Sequence, residues 1–314
     1  MTNTRYEEGL MVPGEVVHIH REGHVLVMTF RREHKRNAVN RALADALDAA
    51  LNLLDDDPDL YAGVLTGGVE CFCAGSDLSS QGDYVTPRGG EYGIIRRRRR
   101  KPLIASVEGV ALGGGMEIAL ACDLVVAATN ARFGLPEVVR GVLPTCGALF
   151  RALRLLPANI ARELVLGGEP MPADRAYTLG LVNQLAPPGG ALELAVAMAQ
   201  RIARNAPLSV QASLAAMNDF LACGDQAGWD ATAKAMGAIR GSRDLKKEFS
   251  PFLRSARRSG QATEGCVAAV RATRVIEHKA RKDGPDAIPA VRKYGPFQKS
   301  QQFHDPRTQR HRIA

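Results

Sequence analysis

The stretch from Leu103 to Ala128 constrains this chain most. It is as long and almost as apolar as a membrane span, yet it carries Glu108, Glu117, Asp123 and three consecutive glycines at 113–115. A lipid-facing helix does not tolerate that combination, so the stretch is expected to be buried inside protein. Its pattern predicts a strand at Leu103–Val107, a helix running from the glycines through Ile118, Leu120 and Ala121, and a second strand at Asp123–Ala128. Strands alternating with inserted helices belong to an α/β fold.

The flanks extend this pattern. Val16–His20 and His24–Phe30 are β-rich runs separated by Arg21, Glu22 and Gly23, which predicts a hairpin. Leu43, Leu47, Leu51 and Leu54 then fall at helical spacing within Val39–Leu54, and Asp55-Asp56-Asp57-Pro58 stops that helix. One ββα unit is complete, and a third strand is expected at Tyr61–Thr66, before Gly67 and Gly68, with a loop and a helix between it and Leu103. From Pro157 the pattern turns Ala- and Leu-rich and predicts helices at 158–166, 173–179, 191–204, 208–221 and 231–240. The organisation expected is a core at 1–195 that carries the chemistry, a helical region at 196–282, and a basic, loosely ordered extension at 283–314.

With 314 residues the chain can bury a core without covalent staples. Its six cysteines (71, 73, 122, 146, 223 and 266) form no CxxC pair, so they read as reduced packing residues of a cytoplasmic protein. The start, MTNTRYEEGLMVPG, lacks the basic and apolar regions of a signal peptide, and neither secretion nor membrane insertion is expected. Of the net charge of +8, the residues from Arg271 onward carry eleven Lys and Arg against four Asp and Glu, a net +7. A basic appendage on a near-neutral body suggests a solvated tail before it suggests a nucleic-acid partner. Arg96–Lys101, six consecutive basic residues, is expected to be a solvated helix end, with phosphate binding or a subunit contact as alternatives. His18, His20, His24 and His34 are not clustered with acids, so no metal site is expected there.

Three runs point to chemistry. Phe72-Cys-Ala-Gly-Ser76-Asp77-Leu78 follows a strand, and its small residues leave backbone N–H groups exposed, with Asp77 able to cap a following helix. Taken alone it fits an ordinary strand-to-helix turn equally well. Gly113-Gly114-Gly115-Met116-Glu117 starts a helix, where backbone donors and the helix dipole favour a developing negative charge, although packing explains many glycine triplets. The third run, Ala131-Arg-Phe-Gly134-Leu-Pro136-Glu137, brings a second Glu twenty residues after Glu117.

Together these runs resemble the crotonase, or enoyl-CoA hydratase, superfamily. KPLIASVEGVALGGGMEIALACDLVVAATNARFGLPEVVRGVLP (101–144) resembles its signature, FCAGSDL the other half, and Gly180-Leu-Val-Asn183 with Glu264-Gly265 extend the likeness over about 14–270. The resemblance implies a crotonase (ClpP-like) spiral of ββα units with a C-terminal helical oligomerisation region, assembled as a homotrimer or a hexamer. It implies a lyase of fatty acid metabolism that hydrates a 2-enoyl-CoA to a 3-hydroxyacyl-CoA, or dehydrates it. Coenzyme A would enter as part of the substrate, with no permanently bound cofactor. The backbone N–H groups of Ser76 and Gly114 would form an oxyanion hole, and Glu117 and Glu137 would activate water and deliver a proton. Arg36, Ala38, Ala74, Asp77, Leu78, Gly113 and Thr145 would line the CoA and acyl groove, with Lys35 and Arg36 near phosphates.

Two departures stand out. Thr145-Cys146-Gly147-Ala148 replaces a Gly-rich step that lines the acyl side in relatives, and the pattern degrades after Gly265 into Ala268-Ala269-Val270 and 44 further residues. Retention of both glutamates argues against dehalogenases and thioester hydrolases of the same fold, which use other acids or nucleophiles, and leaves a double-bond isomerase, which can work with one, as an alternative. A nucleic-acid-binding relative, suggested by the Arg run and the basic tail, is the remaining alternative.

Overall fold

The structure, a computed structural model, describes residues 16–80 and 84–240, all within one compact unit, Met1–Pro251. Features singled out beyond residue 240, including Glu264, Gly265, Cys266 and the basic extension, lie outside the described residues.

The chain opens with an antiparallel hairpin, β1 (Val17–Glu22) and β2 (Val25–Phe30), in which Glu22 pairs with Val25. The turn is therefore Gly23-His24 rather than the three residues expected, and Gly23 takes φ +61° as two-residue hairpin turns require. Helix α1 (Arg41–Asp56) starts where the Asn40 side chain accepts the Leu43 N–H at 3.0 Å. Strand β3 (Ala62–Thr66) follows, then a short hairpin of β4 (Val85–Thr86) and β5 (Gly90–Glu91). This hairpin and a series of turns, not the expected helix, lead through the described residues to β6 (Leu103–Val107). Next come β7 (Val110–Leu112), α2 (Gly114–Ala121), β8 (Leu124–Ala128) and β9 (Arg132–Gly134). A 3-10 helix at Pro136–Arg140 precedes α3 (Ala148–Leu155), α4 (Ala158–Gly167), β10 (Met171–Pro172) and α5 (Ala173–Thr178). After β11 (Gln184–Ala186) the described chain is helical: α6 (Ala191–Ala203), α7 (Pro207–Ala222) and α8 (Asp225–Ile239).

Six strands form a sheet in the order β1-β2-β3-β6-β8-β11, parallel throughout except for the opening hairpin. Its central strands are apolar on both faces, as parallel strands covered on both sides must be. Val25, Val27, Val64, Ile104 and Val126 point to one face, where Ala195, Val196 and Ala199 of α6 cover them. Leu26, Met28, Leu65, Leu103, Ala105 and Val125 point to the other, into the main core with α1 and α2. A second, three-stranded sheet in the order β10-β9-β7 stands beside that core.

The basic run is not a solvated helix end. Arg97 has 1% of its side chain exposed and pairs with Asp48 at 2.6 Å and Asp55 at 3.2 Å, both on α1. Arg99 donates to Asp123 and to the Ala121 carbonyl at the end of α2, each at 2.6 Å, and Lys101 Nζ bonds the Asp57 carbonyl. Alternate members of the run thus clamp α1 and the α2–β8 junction onto the sheet, while Arg98 and Arg100 face solvent. Buried pairs of this kind cost desolvation and hold only because the partners are complete.

Candidate active site

Strands β7 and β9 are parallel neighbours with Leu112 opposite Gly134, and the Gly113 N–H donates to the Gly134 carbonyl at 2.8 Å. Each strand runs directly into a helical start, so Glu117, one turn into α2, and Glu137, in the 3-10 helix, come to the same end of the small sheet. Twenty residues of separation collapse because β8 lies in the large sheet and returns the chain to its neighbour.

The segment around Ser76 runs along the other side of β7. The Cys73 N–H donates to Val110, Cys73 accepts from Leu112, the Val39 N–H donates to Gly75, and the Asp77 N–H donates to Val39. Gly75, at φ +102°, is so close to the next turn that an added Cβ would lie 3.3 Å from Gly114 N. Ser76 and Gly114, expected as the two donors, are thereby brought side by side. Gly114 is the first residue of α2, where the N–H has no partner within its own helix.

The three glycines each answer a different demand. Gly113 takes φ +53°, and a Cβ there would stand 3.2 Å from Glu137 Oε1. A Cβ on Gly115 would come within 2.1 Å of the Cys73 carbonyl, so only glycine lets α2 start against that backbone. A Cβ on Gly114 would meet the hydroxyl of Tyr92 at 2.8 Å.

Glu117 is 2% exposed, and its Oε1 accepts the N–H groups of Cys146 at 2.7 Å and Ala148 at 3.1 Å. Burial, reinforced by the charge of Glu137 and opposed by those two amides, pushes its pKa up to about 8. Burial likewise raises Glu137 to about 7, and its Oε2 is buried with no hydrogen-bond partner among the described residues. Burial raises both carboxyls and the charge of Glu137 acts on Glu117, so the two titrate as a coupled pair.

Of the residues expected along the CoA groove, Arg36 is bonded to Ala74, and Ala38 and Asp77 share Arg32 as a partner. Arg36, left-handed at φ 50° and exposed, accepts the Ala74 N–H at 3.0 Å through its carbonyl, and Ala38 accepts from the Arg32 guanidinium. Asp77 differs from expectation. Its carboxylate is buried, pairs with Arg32 at 2.9 Å and accepts the Ser79 N–H at 3.0 Å, so it braces a turn instead of capping a helix. Leu78, next to Asp77, is exposed, and Thr145 is half-buried next to Cys146. Sequence patterns did not point to Tyr92, which lies in a Gly-rich stretch without periodicity; a lone aromatic between Gly90 and Gly93 is the only signal it offers.

Comparisons with known proteins identify the family. The family model for enoyl-CoA hydratase/isomerase matches residues 20–257. A short-chain-enoyl-CoA hydratase of Clostridium acetobutylicum is 35% identical over 243 residues, spanning 75% of this chain and 93% of that protein. A 2,3-dehydroadipyl-CoA hydratase of Escherichia coli is 35% identical over 240 residues, spanning 75% of this chain and 94% of its own length. Among solved structures, a carnitinyl-CoA dehydratase from Mycobacterium avium is similar with a TM-score of 0.67 at 42% identity, covering 74% of this chain and 94% of that one.

Proposed function

The chain belongs to the enoyl-CoA hydratase/isomerase family and is a hydratase-type lyase, and from that premise we propose how its own residues carry the reaction. The substrate is a 2-enoyl-CoA, with coenzyme A entering as part of it, and water adds at C3 while a proton adds at C2. The thioester oxygen lies between the N–H groups of Ser76 and Gly114, which stabilise the negative charge that develops there. The dipole of α2 adds to that stabilisation, because its N-terminus is Gly114 itself.

Glu117 accepts a proton from water as the C3–O bond forms and the C2=C3 electrons move toward the thioester oxygen. Glu137 then gives its proton to C2. The proton pair ends inverted, with Glu117 protonated and Glu137 ionised, and must re-equilibrate before the next turnover. With Glu117 raised to about 8 and Glu137 to about 7, the shared proton rests on Glu117 and must pass to Glu137 before water is attacked; the two amides on Glu117 Oε1 lower the cost of that transfer. Dehydration runs the same steps backward with the roles exchanged.

The observation that carries this reading is the convergence of two buried, raised carboxyls on the Gly113–Gly114 turn. The CoA moiety lies along the rim of Arg36, Ala38, Ala74 and Leu78, with Thr145 toward the acyl side. A homotrimer or dimer of trimers completes the proposal; exposed Leu208, Met217 and Phe220 on α7 offer it apolar surface.

Purified protein incubated with crotonyl-CoA and longer 2-enoyl-CoAs should consume the enoyl absorbance and yield 3-hydroxyacyl-CoA. Conversion of 3-enoyl-CoA to 2-enoyl-CoA without hydration of any 2-enoyl-CoA would replace this reading with an isomerase.

A further inference from the structure

Tyr92 is a bulky aromatic residue at φ 55°, a conformation that side chains of its size rarely adopt and that persists only where the surroundings enforce it. Here they do. A Cβ on the next residue, Gly93, would lie 2.4 Å from the Ala44 carbonyl, so the chain is pressed against α1. The following turn is closed by bonds from the Gly93, Ile94 and Ile95 N–H groups to Gly90 and Glu91. Arg151 of α3 donates to the Ile95 carbonyl at 2.6 Å, and Arg96 stacks on the Trp229 ring of α8 at 3.8 Å while pairing with Glu91 at 2.9 Å. Trp229 in turn meets Phe150 edge-on at 5.0 Å. The segment is fixed from both ends, by α1 on one side and by α3 and α8 on the other.

What this fixed segment presents is the tip of the phenol ring. The hydroxyl is 2.6 Å from Ser76 Oγ, and OH, Cε2 and Cζ all lie within 3.0 Å of the Cβ position at Gly114. The hydroxyl also interacts with the side chains of Cys146 and Glu117, and the residue is 3% exposed. One rigid side chain therefore touches both turns of the proposed oxyanion hole and borders the proposed base.

We propose that Tyr92 is a specificity-determining residue that walls the acyl side of the site, so that the enzyme accepts short acyl groups and excludes long ones. The inference rests on the reading of the chain as a 2-enoyl-CoA hydratase but is tested by binding, which needs no turnover. Because Arg96, Trp229, Phe150 and Arg151 back the segment, the ring cannot swing away to admit a longer chain. Its hydroxyl is not what excludes; the ring tip is.

Calorimetric titration of the full-length protein with butyryl-CoA and decanoyl-CoA, saturated compounds that cannot be hydrated, provides the test. Wild type should bind butyryl-CoA at least about tenfold more tightly than decanoyl-CoA, the discrimination that a single methylene can produce in a closed pocket. Tyr92→Phe, which keeps the ring, should retain that ratio. Tyr92→Ala should remove it, and Tyr92→Leu, which keeps apolar packing while withdrawing the ring tip, should do so even if the Ala variant does not fold. Equal wild-type affinities, or an unchanged ratio in the Leu variant, would overturn the proposal. Failure of wild type to hydrate any enoyl-CoA while the binding ratio behaves as stated would overturn the hydratase reading and leave the wall in place.

Discussion

Replacing Glu137 by Gln tests the coupling of the two carboxyls while keeping their shape. Burial, reinforced at Glu117 by the charge of Glu137, places the pair near neutrality, with Glu137 at about 7 and Glu117 at about 8. The active form holds one proton, so wild-type kcat/KM should follow a bell whose acid limb lies near 7 and whose alkaline limb lies near 8. Glutamine at 137 removes the proton donor, which costs roughly 100- to 10,000-fold in rate, or about 3–5 kcal/mol. It also removes the charge that raises Glu117, leaving burial alone against the amides of Cys146 and Ala148. The residual activity should lose its alkaline limb and keep one acid limb below the wild-type value of about 8 for Glu117. Stability carries the matching sign. Carboxyls raised above their ordinary 4.5 favour the folded state below that pH, and the benefit is lost as pH rises through about 8. The Gln variant should therefore gain stability relative to wild type between pH 5 and pH 9. Steady-state hydration of crotonyl-CoA across that range, with urea melts at its two ends, measures both effects. A variant profile with both limbs at their wild-type positions would refute the coupling.

Two further outcomes follow from the packing. Arg97→Met strands Asp48 and Asp55 inside the protein and should cost about 3–5 kcal/mol, read from the urea midpoint; Arg98→Met, one residue away but solvated, should stay within about 0.5 kcal/mol, and equal effects would contradict the clamp. Gly114→Ala forces a methyl to within 2.8 Å of the Tyr92 hydroxyl and, because the ring is held from behind, displaces the proposed donor; kcat/KM should fall about 100-fold with the fold retained by circular dichroism, and unchanged activity would remove Gly114 from the oxyanion hole.

Much of the core was legible from apolar runs. The strands at 62–66, 103–107 and 124–128 and the helix after Asn40 appear where periodicity predicts them, because burial on two faces of a sheet, or one face of a helix, leaves its period in the chain. The β4–β5 hairpin was not legible. Its strands are two residues each and make their packing through turns and Thr86–Asp48 bonding, which have no period. Arg97 misled for a different reason: a run of six cations looks solvated, and only the fold brings Asp48 and Asp55 to Arg97 and Asp123 to Arg99. Asp77 was visible as a polar residue after a turn, but its partner Arg32 lies 45 positions away, beyond the reach of local pattern. At the site, Glu117 and Glu137 were marked by their runs, whereas Tyr92 acts through a backbone conformation that the sequence does not spell.

The addition of water at C3 is the central claim, and isotope transfer tests it most directly. Crotonyl-CoA turned over in water enriched in oxygen-18 should yield a 3-hydroxybutyryl-CoA carrying one solvent oxygen on C3, detected by mass spectrometry of the intact thioester. Label found only in a released carboxylic acid, or rearranged enoyl-CoA without label, would contradict it.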